Sequence, residues 1–184
     1  MKLIIALVCV VLISACTSLG RIDNNASIDS QSESYYLLGL NSDKYQVGFY
    51  PGDIVDGKFR QNIFYPASLF AVASNGYVMG KASDGMTLGL MNLRVHEEGS
   101  SFLGSRYRPC EDVKTMTFNV IGGKVLYLGD IRFTKKRPKM KLEYSSDIEA
   151  AKRYISKYHP QLKDKVISWN YELLPTTKSC SSAL

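Results

Sequence analysis

The sequence predicts a mainly β protein, an antiparallel β-sandwich or open barrel with one C-terminal α-helix. Three observations lead there. From Tyr35 onward, short apolar or alternating runs are separated by Gly, Asn, Asp and Pro, the texture of strands and turns. A single segment late in the chain has apolar residues at helical spacing. Residues 35–184 are enough for one packed core and too few for two large ones.

The expected strands cover 35–40, 45–50, 68–73, 77–82, 87–95, 113–120, 124–133, 140–144 and 166–174. Pro51-Gly52 suits a turn with a positive φ at its second central residue, and Asn75-Gly76 suits a tight hairpin. Gly122-Gly123 separates two well-patterned strands, which reads as a second hairpin. On its first arm Met116, Phe118 and Val120 alternate with Thr115, Thr117 and Asn119. On the return arm Val125, Tyr127, Ile131 and Phe133 share one face, and Leu126 and Leu128 the other, so this strand is expected to be covered on both sides or central in its sheet.

The helix opens at Ser146 with Glu149 three residues on, a capping-box spacing. Ile148, Ala151, Ile155 and Tyr158 recur at steps of three and four, Glu149, Lys152, Arg153 and Lys157 fall on other faces, and Pro160 stops it. A last strand carries Trp169 and Tyr171 on one face.

The leader has a different character. Lys2 precedes an apolar run from Leu3 to Ile13, then the small residues Ser14 and Ala15, then Cys16, which is the layout of a secretory signal. As a helix the run measures roughly 18 Å, short of the roughly 30 Å hydrocarbon core of a bilayer. The residues Ile13-Ser14-Ala15-Cys16 resemble the lipobox of bacterial lipoproteins. That resemblance implies cleavage between Ala15 and Cys16, a diacylglyceryl group on the Cys16 thiol and often an acylated new amino group. Two or more such chains hold a protein to a membrane stably. Thr17 stands where Asp would resemble an inner-membrane retention signal, which favours the outer membrane of a two-membrane envelope. An ordinary signal peptide with a chance cysteine at its end is the alternative.

The expected organisation is therefore a signal peptide at 1–15, a lipidated N-terminus and flexible tether at 16–34, and a single β-rich domain at 35–184. The segment 17–34, rich in Ser, Asn and Asp, offers little apolar surface to offset ordering. Removing 15 residues from 184 leaves 169, with 22 basic and 17 acidic side chains, a net charge of about +5. That balance is too mild and scattered for a nucleic-acid binder, and export argues further against one.

Cys9 leaves with the leader and Cys16 is consumed by lipid, so Cys110 and Cys180 remain. Two cysteines in an oxidising compartment most simply pair with each other, and two free thiols are the competing state. A bridge across this separation adds about 4 kcal/mol in the chain-entropy model. The stretch from Val113 to Pro160, with TMTFNVIGGKVLYLGDIRF and an amphipathic helix ending Tyr158-His159-Pro160, resembles uncharacterised exported bacterial lipoproteins. The resemblance implies a β-sandwich with one helix and brings no site residues.

Candidate chemistry is sparse. His96-Glu97-Glu98 offers two of the three or four ligands a metal needs, against a solvated loop running into Gly99-Ser100-Ser101. His159 before Pro160 reads as a helix-end residue whose imidazole serves the last carbonyls. Gly99 to Leu103 fails the nucleophile-elbow pattern, and Gly76 to Lys81 fails the phosphate-loop pattern. No cofactor is expected.

The run Lys135, Lys136, Arg137, Pro138, Lys139 with Lys141 can meet anionic headgroups or an acidic partner, against a solvated loop between strands. Among the twelve tyrosines, most are expected in the core, while Tyr35-Tyr36 or Phe64-Tyr65 are candidates for an exposed protein or glycan contact. The function expected is a lipid-anchored envelope lipoprotein with a non-enzymatic binding or structural and assembly role. The alternative is a periplasmic hydrolase or other enzyme around His96.

Overall fold

The computed structural model describes residues 22, 26–28, 30–95, 106–136 and 139–180. The architecture is mainly β, two sheets packed face to face with one helix near the C-terminus, as the strand texture and the single periodic segment predict. Among the described residues the strands are β1 (Glu33–Leu40), β2 (Tyr45–Val55), β3 (Lys58–Gln61), β4 (Leu69–Val72), β5 (Tyr77–Ser83) and β6 (Thr87–Val95). They continue with β7 (Arg106–Tyr107), β8 (Thr115–Asn119), β9 (Val125–Lys136) and β10 (Lys139–Ser145). After α1 (Ile148–Tyr158) and a 3-10 turn (Pro160–Lys165) come β11 (Val166–Ser168) and β12 (Glu172–Leu174).

The first sheet runs β10-β9-β1-β5, with β11 also on β9; the second runs β12-β8-β6-β2-β3, with β4 on β2 and β7 on β6. Two pairings, β1 with β9 and β11 with β9, are parallel, and the others are antiparallel. One apolar cluster fills the space between the sheets, around Tyr36, Leu38, Phe49, Leu88, Phe118 and Leu128. A second, around Leu37, Val125, Tyr127, Ala151, Ile155 and Leu162, lies between the first sheet and α1. Strand β1 is buried on both faces from Ser34 to Leu40, which is why its sequence SYYLLGL shows no alternation. Within the stretch expected as a tether, Ala26 O accepts from Gln161 Nε2 at 2.6 Å, Ser27 O from the Tyr35 hydroxyl at 3.1 Å and Ile28 O from Lys165 Nζ at 2.8 Å.

Several local expectations are corrected. The strand expected to end at Tyr50 runs on to Val55, and the turn falls at Asp56-Gly57, both with positive φ. Pro51 is tolerated inside it because it lies between the ladder with β4, Gln46 to Phe49, and the ladder with β3, Gly52 to Val55. Gly122-Gly123 is no hairpin: β8 belongs to the second sheet and β9 to the first. These glycines carry the chain past the N-terminal segment, since a Cβ on Gly122 would lie 1.6 Å from Gln31 O. Asn75-Gly76 makes the expected tight turn, with φ of 52° and 81° and paired hydrogen bonds between Ser74 and Tyr77, although its arms then diverge into different sheets. The strand expected over 166–174 is two strands in different sheets; between them Trp169 N donates to Tyr127 O at 2.9 Å and Trp169 Nε1 to Asn119 O at 2.7 Å. The helix is capped by Asp147, one residue after Ser146, through its carboxylate to Ala150 N at 2.9 Å.

The most consequential correction is in β9. Val125 and Tyr127 face the helix, while Leu126, Leu128, Ile131 and Phe133 all face the other sheet. Simple alternation would put Ile131 and Phe133 with Tyr127. The register against β1 shifts between Leu37↔Tyr127 and Gly39↔Asp130, so three residues of β9 span two of β1. Gly129 takes φ 89° at that point. The bulge reverses the phase of the strand, which is how a β-bulge re-aims side chains.

The second sheet curls and is closed by the C-terminal tail. Phe59 N donates to Pro175 O at 2.8 Å and Thr177 N to Phe59 O at 3.0 Å. The Phe59 ring is fully buried, and Cβ atoms on Gly52 or Gly89 would lie within 2.6 Å of it. Cys110 and Cys180 stand at disulfide distance with Cα atoms 5.0 Å apart, beside the bonds Glu111 N to Lys178 O and Thr176 N to Cys110 O.

Two stability outcomes are expected. Gly129→Ala forces a Cβ into the left-handed region 2.7 Å from Ser145 O, and urea unfolding is expected to show a loss of about 2 kcal/mol or more. Replacing Cys110→Ser and Cys180→Ser together opens a loop of 70 residues; a loss near 4 kcal/mol is expected, and an unchanged midpoint would argue that the tail is held by its backbone bonds alone.

Candidate functional site

The residues singled out in the sequence divide into three groups. Ala15, Cys16, His96, Glu97, Glu98 and Arg137 lie outside the described residues. Of the basic run, Lys135 and Lys136 end β9, Lys139 begins β10, and Lys136 pairs with Lys139. Lys141 lies exposed on β10 with its ammonium 2.9 Å from Glu143. Of the two aromatic pairs proposed as contact surfaces, Tyr35 and Tyr36 are buried, because β1 is central and covered on both faces. Tyr36 fills the inter-sheet core against Phe49 and Phe118, over Gly80, where a Cβ would collide with its ring.

Phe64 and Tyr65 take the opposite position. Ile63, Phe64 and Tyr65 are 79%, 90% and 58% exposed, three consecutive large apolar side chains in water. They sit in the loop between β3 and β4, and hydrogen bonds at both its ends hold that loop. Asn62 N donates to Pro51 O at 2.8 Å, and Asn62 Oδ1 accepts from Phe64 N at 3.1 Å, a side-chain turn that replaces a missing backbone partner. At the far end Ser68 N donates to Phe49 O at 2.9 Å, and the Ser68 hydroxyl donates to Lys81 O at 2.8 Å. Burying three such side chains is worth roughly 5 kcal/mol, none of which this chain recovers by itself.

A second feature lies at the C-terminal end of α1. Tyr77 at the start of β5 meets Tyr154 at 4.4 Å between ring centroids, and Tyr154 meets Tyr158 at 5.0 Å and His159 at 6.1 Å. These rings, with Ser74 and Asn75, line a groove of about 290 Å³. His159 ends the helix as expected, but through its backbone N–H to Ile155 O at 2.8 Å. The imidazole instead turns inward, 4% exposed, and its Nδ1 has no hydrogen-bond partner. Burial lowers the His159 pKa, which keeps the ring neutral at pH 7.

The helix that carries these rings is positioned by the β9 bulge. Past Gly129, the Asp130 carboxylate accepts from the Tyr127 hydroxyl at 2.5 Å, and Asp147 N donates to that hydroxyl at 2.9 Å and to Asp130 Oδ2 at 3.2 Å. Gly39 leaves the room, since a Cβ there would lie 1.8 Å from Asp130 Oδ1. Burial first, then the carboxylates of Asp130 and Asp147, raise the Tyr77 pKa. This constellation joins a helix N-terminus to a strand and holds no nucleophile poised by a base. Among the described residues no group of three or more His, Cys, Asp or Glu side chains is placed to hold a metal ion. The groove was missed in the sequence because its rings come from β5 and from both sides of a helix end.

The fold and these surfaces define a two-sheet β-sandwich with an apolar loop and an aromatic groove. Comparison with known protein families, with curated proteins and with solved structures finds no match to this chain.

An acid-side linkage is expected from His159. Its unfolded form binds a proton near the ordinary value of 6.5, and the folded form only at lower pH. Below about pH 6.5 the unfolded chain therefore holds more protons, and stability falls as the pH drops. Unfolding free energies at pH 7.5 and pH 5.5 are expected to differ more for the native protein than for His159→Phe; equal differences would mean the imidazole is not desolvated.

Proposed function

We propose that this protein is a lipid-anchored bacterial envelope lipoprotein whose β-sandwich has a non-enzymatic binding role, presenting Ile63-Phe64-Tyr65 to a partner protein. The observation that carries the binding role is the exposure of those three side chains on a loop fixed at both ends. A contiguous apolar surface on a rigid support is what a protein interface supplies at its centre. The leader and the lipobox Ile13-Ser14-Ala15-Cys16 support export, cleavage after Ala15 and acylation of Cys16. Thr17 supports the outer membrane as the destination.

The placement of the elements is consistent with a tethered domain facing away from its bilayer. Ile22 lies against Ser74, Asn75 and Tyr77, at the end of the sandwich where β5 begins. Tyr65 lies beside Gly85 and Met86, just past the other end of β5, so the two are separated by the length of a seven-residue strand, roughly 23 Å. Strand β9 runs parallel to β1 and continues five residues beyond Leu40↔Ile131, which carries the strand ends bearing Lys135, Lys136 and Lys139 past the Ile22 end. Basic strand ends on that side suit an anionic headgroup layer, at roughly 1 kcal/mol per basic group.

Mass spectrometry of the mature protein from native membranes is expected to find a chain beginning at Cys16 with diacylglyceryl on its thiol. A chain that keeps Met1, or an unmodified Cys16, removes the anchor from this reading. A photoactivatable residue at position 65 is expected to cross-link to protein, and Phe64→Ser to weaken that complex about thirtyfold. Cross-linking to lipid, or a complex indifferent to Phe64→Ser, removes the loop from it.

A further inference from the structure

The first sheet ends on β10, a seven-residue strand with β9 on one side and, among the described residues, no strand on the other. Asn41 reveals which of its backbone groups face outward. The Asn41 side chain donates to Phe133 O at 3.3 Å and accepts from Phe133 N at 3.0 Å, so the backbone groups of Phe133 point to the β1 side of β9, away from β10. Leu142, the partner of Phe133, therefore stands in a non-hydrogen-bonded pair, and its own N–H and C=O point outward from the sheet. By the same alternation those of Met140 and Tyr144 point outward too. Such a row of donors and acceptors is a template for another strand.

Other strand edges among the described residues are shorter or blocked. The Ser68 hydroxyl occupies Lys81 O on β5, the tail covers β3, and β4 and β12 have four and three residues. The chain leaves the β10 edge clear as it departs, since Asp147 N turns back to the Tyr127 hydroxyl on β9.

Charge decides which strand fits. Lys141 and Glu143 are exposed on one face of β10, on either side of Leu142, while Leu142 and Tyr144 pack on the inter-sheet core. An antiparallel second copy centred on Leu142 sets Lys141 of each chain opposite Glu143 of the other, two attractive pairs from one two-fold axis. Centred one residue either way, the pairing would set two Lys141 or two Glu143 side chains against each other, which is unfavourable. The Leu142 register also overlaps the whole strand, Lys139 against Ser145, and matches outward backbone groups with outward backbone groups. The two Lys139 residues then stand six residues apart along the sheet, roughly 20 Å, beyond the roughly 8 Å screening length of physiological salt.

We propose that two copies of this chain pair antiparallel through β10, Lys139–Ser145, about a two-fold axis at Leu142, which joins their first sheets into one. The axis stands perpendicular to the sheet at β10. Three strand-to-strand steps of roughly 20–25° each turn β5 well out of that plane, so β5 has a large component along the axis and the two Ile22 ends face the same side. The loop bearing Ile63, Phe64 and Tyr65 is fixed beside β5, at the opposite edge of the sheet, and stays free in both copies.

The test is sedimentation of the full chain in detergent solution from low micromolar to several hundred micromolar, with residue-resolved amide hydrogen exchange by NMR at both ends of that range. A dimer is expected to form as concentration rises, in the native protein and in Phe64→Ser alike. The amides of Leu142 and Tyr144 are expected to exchange freely in the dilute chain and to be protected in the concentrated one, while those of Lys141 and Glu143, bonded to β9, are protected in both. Lys141→Glu sets like charges opposite each other at two places and is expected to raise the dimer dissociation constant about tenfold. Adding Glu143→Lys to Lys141→Glu makes the pairs attractive again and is expected to restore the native value. A chain that stays monomeric throughout overturns the proposal. So does a dimer whose Leu142 and Tyr144 amides stay unprotected, one that Phe64→Ser abolishes, one indifferent to Lys141→Glu, or a double variant no tighter than the single. The exchange measurement uses the unaltered chain, so it decides the matter even if Lys141→Glu does not fold.

Discussion

One extra residue in a central strand governs most of this architecture. Before Gly129, β9 turns Val125 and Tyr127 toward the helix; after it, Ile131 and Phe133 turn toward the opposite sheet. A strand without the bulge would bury one set and expose or misplace the other, because a shift of one residue exchanges the faces of everything that follows. The same bulge points Asp130 across Gly39, where the Tyr127 hydroxyl and the Asp147 amide reach it. Through those bonds the start of α1 is set against the sheet. The rest follows from helix geometry, since eleven residues later the chain ends the helix at the place where Tyr158 and His159 meet Tyr77 and Tyr154. A backbone feature in one strand therefore fixes an aromatic cluster at the far end of a helix.

The second sheet is closed by a different device. Its edge strand β3 has only four residues. The tail from Pro175 to Thr177 covers it, and Phe59 fills the inside of the curl against Gly52 and Gly89. Larger residues at those glycines would leave no space for the ring, so a weak pair of strand formers supports a strong core contact. The Cys110 to Cys180 pairing holds the covering segment in place. Because β3 is fixed on both sides, the loop that follows it leaves from a firm base, and its apolar residues are presented without being buried.

The parts of this fold legible in the sequence are those governed by local periodicity. Strand β6 and helix α1 have strong patterns and stand where the pattern puts them, and Asn75-Gly76 turns as its chemistry requires. The parts that were not legible depend on contacts distant in sequence. Gly122-Gly123 has the composition of a hairpin, yet the passage of Gln31 beside it decides its role. Pro51-Gly52 has the composition of a turn, but a strand can hold proline where its neighbours on one side are interrupted. Tyr35-Tyr36 and Phe64-Tyr65 look alike as dipeptides, and only the position of their strands separates a core pair from a surface pair. His159 was placed at the helix end by Pro160, while the inward turn of its ring depends on Tyr77 and Tyr154, about eighty and five residues away.

The two surfaces also differ in what they ask of folding. Ile63, Phe64 and Tyr65 are exposed in the folded chain as they are in the unfolded one, so they neither stabilise nor destabilise the domain to first order. Their free energy is realised only against another apolar surface. The groove is the reverse case, for His159 is desolvated by folding itself. Its unpartnered Nδ1 lowers the stability of the protein, by an amount that matters when net stability is only about 5–15 kcal/mol. A phenyl ring would fill the same space without that cost.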